Sequence, residues 1–263
     1  MPDKAKVTPW MVGINALLFF AYHYFLPRDW AELLPLHHPG SGAFGLWQFV
    51  TSLFIHGDAG HLFFNMFALF SFGSLLERVW GVRRFLIFYF VVGIGAGLIH
   101  TGVNQYKLHS RLQVLEERGY PAENLLAAMD LDEDGNLMLS REVMATIRPE
   151  DRAQVVEAAR LHFGRVVGAS GALYGILVAF GILFPGVKLQ LIFLPVPLPA
   201  RIFIPGLLLL DLFSGVTGFS LFGGGIAHFA HLGGALIGFV LMLLWRKQLN
   251  RIVFPVSRRK EGA

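Results

Sequence analysis

Residues 166–175 read VVGASGALYG and lie in the charge-free run 166–184. A run of about 19 apolar residues approaches the length that a helix needs to cross a hydrocarbon core of about 30 Å. A serine fenced by glycines is out of place there, because polar groups inside a span are costly and rare. Five more segments share this apolar character: roughly 9–26, 61–77, 85–102, 199–213 and 226–245. Lipid offers no partner to a bare backbone amide, so all six are expected to be helices, and the alternation of a membrane β-barrel is missing. The expected fold is an all-α polytopic membrane protein with six transmembrane helices. The second and fifth segments are short and would lean on flanking polar residues or on a locally thin bilayer.

Composition points the same way. Of 263 residues, 54% are hydrophobic and 15% charged, a balance too apolar for a soluble globular chain. Cysteine is absent, which removes disulfides and thiolate chemistry. Within 103–163 there are 11 acidic residues against 7 Lys or Arg, and elsewhere 15 basic residues face 7 acidic ones. That basic remainder suits loops beside a membrane better than a nucleic-acid groove. Lys4, Lys6, Arg78, Arg83, Arg84, Lys188 and the cluster from Arg246 to Lys260 fall on alternate connections. The positive-inside rule then puts both termini in the cytoplasm and the connections 27–60, 103–165 and 214–225 outside.

Four regions follow. Residues 1–102 hold the first three helices, 103–163 a soluble helical insertion, 164–245 the last three helices, and 246–263 a basic tail. The first segment follows two lysines as a signal peptide would. No small-x-small cleavage site follows it, and Tyr22, His23 and Tyr24 look like an interfacial girdle, so it is read as retained. The stretch VKLQLIFLPVPLPAR, with Pro195, Pro197 and Pro199, is read as an interfacial approach to the fifth helix.

Polar residues collect at a few places: His56, His61 and Asn65 around the start of the second helix, Glu77 and Arg78 at its end, Ser170 and Tyr174 in the fourth, His228 and His231 in the sixth. The fourth and sixth helices run in the same direction. Each carries a GxxxG pattern, Gly171 with Gly175 and Gly234 with Gly238, which lets two backbones approach closely. If those patches meet, Ser170 and His231 differ in depth by only about 3 Å. A serine and a histidine at one depth on touching helices can share a hydrogen bond, as a nucleophile and its general base do. Asn65 lies one turn after His61, so both could donate to an oxyanion together with the Ser170 amide. Gly168 and Gly171 would let a substrate backbone come close, and Tyr174 could lie flat on the His231 ring.

Each residue alone has a blander reading. A serine in a span usually bonds back to its own helix, and a histidine or asparagine can simply join helices. What favours catalysis is the coincidence of Ser170, His231, His61 and Asn65 at the outer ends of three helices.

The motifs HGDAGHLFFNM (56–66), GASGALYG (168–175) and AHFAHLGGALIG (227–238), in that order, resemble the rhomboid family of intramembrane serine proteases. The resemblance covers about residues 45–100 and 164–245. It implies a six-helix bundle and a Ser–His dyad with no acidic third member, which cleaves transmembrane segments of other proteins near the outer face. Ser170 would be the nucleophile and His231 the base, with His61 and Asn65 in the oxyanion hole. Tyr174 would stack on the base, His56 would be structural or hold water, and Glu77 would tie helices at the cytoplasmic end. Asp211 is accordingly read as making a helix-end or loop hydrogen bond. The histidines show no HExxH pattern and are not read as a zinc site. No cofactor is required, the partners are transmembrane protein substrates and the lipid bilayer, and the plain layout suits a bacterial cytoplasmic (inner) membrane. The alternative is a non-catalytic binder or chaperone on the same scaffold, which loss of the serine or histidine would mark. A transporter would need charges paired along a route through the midplane.

The insertion departs from the short connection implied by the family. DLDEDGNLMLSRE (130–142) begins like an EF-hand, with Asp130, Asp132, Asp134, Gly135 and Asn136 in loop order. Position 12 is Arg141, and Glu142 comes one place late. A weak calcium site and an acidic helix-joining turn both stay open. The insertion leads directly into the helix of Ser170, so it is expected beside the mouth of the site.

Overall fold

Apolar runs become most of the longer helices of the computed structural model, which describes residues 5–131, 137–191, 194–219 and 227–253. These are α1 (Thr8–Tyr24), α2 (Ala59–Trp80), α3 (Val82–Glu117), α4 (Arg152–Phe163), α5 (Ser170–Leu183), α6 (Ala200–Thr217) and α7 (His228–Val253). The chain is mostly helical. Among the described residues, four helices are long and apolar enough to cross a membrane: α2, α3, α6 and the His228–Trp245 part of α7. Large apolar side chains such as Leu17, Phe63, Phe70, Leu209, Val216 and Leu244 are exposed, which lipid favours and water does not.

α5 is apolar on all sides and buried for most of its length, packed against α3, α6 and α7. A helix hydrophobic all round belongs in the middle of a bundle. Its 14 residues rise only about 21 Å, less than the hydrocarbon thickness. The sequence expectation of a helix over 166–184 is corrected here, because the helix starts at Ser170. The residues before it are non-helical and are tied by exchange of backbone hydrogen bonds between Leu36 and Val166, each 2.9 Å, and by Gly168 N–H donating to the Ser52 carbonyl at 2.8 Å. Such backbone survives at membrane depth only where protein satisfies it.

α1 is fastened at its first turn by a side chain from α2. Glu77, 3% exposed, accepts from the backbone N–H groups of Lys6 (2.6 Å), Val7 (2.9 Å) and Thr8 (2.9 Å) and from the Thr8 hydroxyl (2.7 Å). One carboxylate thus supplies acceptors to the helix start that α1's own residues do not provide, and its charge opposes the positive end of the helix dipole. Glu77→Ala is expected to lower stability by about 2–3 kcal/mol, the scale of hydrogen bonds to a charged group. Unfolding of the detergent-solubilised protein measures it, and an unchanged midpoint would reject the role.

α3 has 36 residues and so extends about 54 Å. It crosses the expected 102/103 boundary without interruption, because residues 103–117 hold neither proline nor glycine. Its far end, α4 and the short helices Ala122–Ala127 and Arg141–Thr146 form a cap around Leu108, Leu115, Leu125, Ile147, Val155 and Ala158.

Among the described residues, two short hairpins join the mostly helical chain: β1 (Met129–Leu131) with β2 (Leu137–Leu139), and β3 (Lys188–Leu191) with β4 (Leu194–Pro199). In the first, Asp130 pairs across from Met138, so a strand ladder closes the ends of the acidic turn. Asp132, Asp134 and Asn136 lie outside the described residues. In the second, Pro195, Pro197 and Pro199 recur at every second residue of β4. A period of two puts their missing N–H groups along one edge, where no ladder bond is lost. The expected interfacial approach is therefore a hairpin.

Asp151 holds the cap together. Its side chain is fully buried, Arg118 bonds to Oδ1, the Tyr120 hydroxyl donates to Oδ2 at 3.1 Å, and Arg148 Nε lies 3.5 Å away. Burial pushes its carboxyl up, but the hydrogen bonds from Arg118 and Tyr120 and the charges of Arg118 and Arg148 outweigh that and hold it below the usual value. A carboxylate depressed in the folded state stabilises fully above its unfolded value of about 3.9, and the gain is lost as pH falls through the folded value. Acid below about pH 4 should therefore loosen the cap, and Asp151→Asn should weaken it already at pH 7 and flatten that dependence. The chain has no cysteine, so a fluorophore on a cysteine at exposed Arg160 reports it. The same signal from pH 7 to 3 in both proteins would contradict this.

Candidate active site

α5 and α7 touch through their glycines. A Cβ on Gly234 would stand 1.8 Å from the Gly171 carbonyl oxygen, and one on Gly238 would stand 2.6 Å from Gly175 Cα. The two GxxxG patches face one another in the register read from the sequence. The Ser170 hydroxyl, in the first turn of α5, lies 2.8 Å from His231 Nε2 in the first turn of α7. Tyr174, one turn along α5, stacks on the His231 ring with centroids 4.2 Å apart and planes 11° from parallel.

On the other side of Ser170 stands α2. Gly168 has φ +111°, and a Cβ there would fall 2.5 Å from His61 Nε2, so only glycine lets that ring lie against the turn into α5. Ser170 is the first residue of α5, a position whose N–H has no acceptor within the helix. The His61 backbone N–H is capped by Asp58 at 2.8 Å, and the His56 ring lies edge-on to the His61 ring at 5.1 Å. His56 is fully buried, and its carbonyl accepts from His23 Nε2 at 3.0 Å. Asn65 is buried and spends one amide proton on its own helix, donating to the His61 carbonyl at 2.8 Å. The second proton of an amide remains for another acceptor.

Asp211 on α6 was expected to make only a helix-end or loop bond. It lies instead beside the histidines: its carboxylate accepts closely from His228 Nδ1 and faces His231 Nδ1 at 3.3 and 3.4 Å. Among the described residues, Asp211, His228 and His231 form the one group of three side chains whose ligand atoms lie within 4.8 Å of one another. Those atoms are already engaged in these hydrogen bonds. The signal for Asp211 in the sequence was an ionisable residue inside an apolar span, which is expensive unless it has a partner.

The Rhomboid domain family model matches residues 43–110 and 148–248. The chain belongs to the rhomboid family. Residues 111–147, between the matched segments, make up much of the cap. Similar rhomboid proteins include Rhomboid protein 1, mitochondrial, of Saccharomyces cerevisiae, 27% identical over 233 residues, which are 87% of this chain and 50% of that one. Rhomboid-like protein 11, chloroplastic, of Arabidopsis thaliana is 35% identical over 91 residues, 34% of this chain and 31% of its own. Rhomboid protease AarA of Providencia stuartii is 31% identical over 96 residues, 36% of this chain and 28% of its own. The chain thus spans half or less of the length of these relatives. As a rhomboid with several membrane-crossing helices, it is a multi-pass membrane protein.

Proposed function

We propose that this rhomboid is an intramembrane serine endopeptidase that cleaves transmembrane segments of other membrane proteins. The observation that carries the reading is the 2.8 Å contact between the Ser170 hydroxyl and His231 Nε2, held between glycine-packed helices. α1 and α5 would complete a set of six spans, with both termini in the cytoplasm, the cap outside and the bilayer that of a cell membrane. A substrate helix unwinding near small residues in the outer part of the bilayer would present its carbonyl to Ser170.

The chemistry then needs only these side chains and water. As Ser170 Oγ bonds to the carbonyl carbon, its proton passes to His231 Nε2. The oxyanion takes hydrogen bonds from the His61 ring, the free amide proton of Asn65 and the Ser170 backbone N–H. Collapse breaks the C–N bond, and His231 returns the proton to the leaving amine. Water, deprotonated by His231, attacks the ester and frees Ser170.

A fluorophosphonate probe and a transmembrane reporter substrate, each presented in liposomes, test this. The expected result is reporter cleavage, its loss after labelling, and a probe adduct on the peptide containing Ser170. An adduct elsewhere would move the nucleophile. Absence of both adduct and cleavage would favour the scaffold reading, a rhomboid-like binder without catalysis. Repeating the cleavage with a chelator present tests the acidic loop 130–136 for calcium.

A further inference from the structure

The site is built with a carboxylate that a two-residue mechanism leaves unused. Asp211 is 6% exposed in the middle of an apolar helix, and a charge there persists only if something compensates it. His228 and His231 both offer Nδ1 to it, and the Tyr174 hydroxyl interacts with the same group. A carboxylate can only accept, so each Nδ1 facing it carries a proton. A neutral imidazole has one N–H, which leaves Nε2 of His231 with the lone pair, turned toward the Ser170 hydroxyl at 2.8 Å.

We infer that Asp211 is a positioning residue for His231, so that serine, histidine and carboxylate act as a relay-ordered triad in this chain. It fixes the tautomer in which Nε2 can take the serine proton. It also lowers the energy of the imidazolium that forms when that proton arrives, remaining unprotonated itself. The acid is shared: His228 takes the closer contact, and the 3.3 Å approach to His231 is longer than an ideal bond. Such contacts often shorten in the substrate complex. The sharing fixes the direction in which the carboxylate faces, because one oxygen is anchored by His228 while the other is left toward His231. Tyr174 completes the arrangement, holding the ring from its face while Asp211 holds it at its edge.

The inference rests on the protease reading for its kinetic consequences, and its test includes a readout that needs no substrate. Asp211→Asn keeps the size and an acceptor oxygen but loses the charge. It should lower kcat by about 10²–10⁴-fold, with KM changed by less than about threefold and the thermal midpoint in detergent close to that of the wild type. Among the described residues, the ionisable groups around His231 are Tyr174, Asp211, His228, His61 and His100, with Lys107 over the neighbouring Phe229 ring. Removing the one acid among them should move the acid limb of the kcat/KM profile to lower pH, and Asp211→Glu should restore part of it. Nitrogen-15 spectra of histidine-labelled protein should show His231 protonated on Nδ1 in the wild type and redistributed toward Nε2 in Asp211→Asn. Activity of Asp211→Asn within about threefold of wild type with an unmoved acid limb would reduce Asp211 to a helix tie and overturn the inference, as would an Nε2–H tautomer in the wild type. A protein that keeps the Nδ1–H tautomer but is blind to Ser170→Ala would refute the protease reading while upholding the positioning of His231.

Discussion

Ser170→Ala is expected to lower turnover of a transmembrane reporter by about 10⁶-fold while leaving the fold intact. The change removes one oxygen from a side chain at the start of α5. No backbone hydrogen bond depends on it, and alanine is at least as good in a helix as serine. Its loss leaves His231 with nothing to deprotonate except water, and the acyl-enzyme route closes. On the proposed mechanism Ser170 and His231 act on one proton, so the effects do not add: the double variant with His231→Ala should be no slower than either single one. Residual cleavage would come from oriented water and the oxyanion donors, typically 10³–10⁴ above the uncatalysed rate. The measurement is product formation in liposomes at matched protein concentration, with thermal midpoints taken alongside. Cleavage by Ser170→Ala above about 1% of wild type would show that another group attacks the carbonyl.

The second large effect is expected far from any reacting atom. Gly234→Ala adds one methyl group, and its Cβ would be built 1.8 Å from the Gly171 carbonyl oxygen. That oxygen is backbone within a buried helix, so it cannot turn aside as a flexible side chain would. α5 and α7 must separate by more than 1 Å to reach even the tightest ordinary contact. Ser170 and His231 sit one turn or less above this point on those same helices. Opening the seam therefore stretches their 2.8 Å contact, and a misplacement of about 1 Å costs on the order of 100-fold in rate. Gly234→Ala should lose at least that much turnover together with about 1–3 kcal/mol of stability. Gly206→Ala is the matched control: it lies within α6 with nothing within 4 Å of a new Cβ and should leave both quantities near wild type. Equal behaviour of the two variants would mean that the seam does not set the spacing.

That seam was readable before any coordinates. Two GxxxG pairs on helices of the same direction fix both a contact and a register, and the register fixes which polar residues share a depth. Ser170, His231 and Tyr174 followed from it. The start of α5 did not, because Val166 to Ala169 are as apolar as a helix interior and their non-helical course depends on partners at Leu36 and Ser52, more than a hundred residues away. The long α3 was misread as two elements because hydropathy falls after Thr101. Polarity marks the edge of lipid, however, and not the end of a helix, which needs a breaker. β4 was hidden by the reverse error. Prolines at every second position read as helix breakers on an interfacial approach to the fifth helix, although a hairpin edge accommodates that spacing. Asp211 was set aside because the resemblance implied a dyad. Its partnership depends on the rotation of α6 about its axis relative to α7, which no local pattern encodes.

The unbroken course of α3 gives the cap mechanical reach. A rod of about 54 Å whose first half is buried in the bundle and whose far end lies in the cap's core has no break at which the two could swing independently. Lys107 sits on that rod near the level of the site, its ammonium 4.2 Å over the Phe229 ring of α7 and 3.5 Å from the Gly215 carbonyl of α6. Tilting the outer half of the rod by about 5° where it leaves the bundle moves its cap end by about 2 Å, and Lys107 passes a smaller part of that travel to the two helices that hold Asp211 and His231. Whatever leans on the cap works a lever whose short arm ends beside His231.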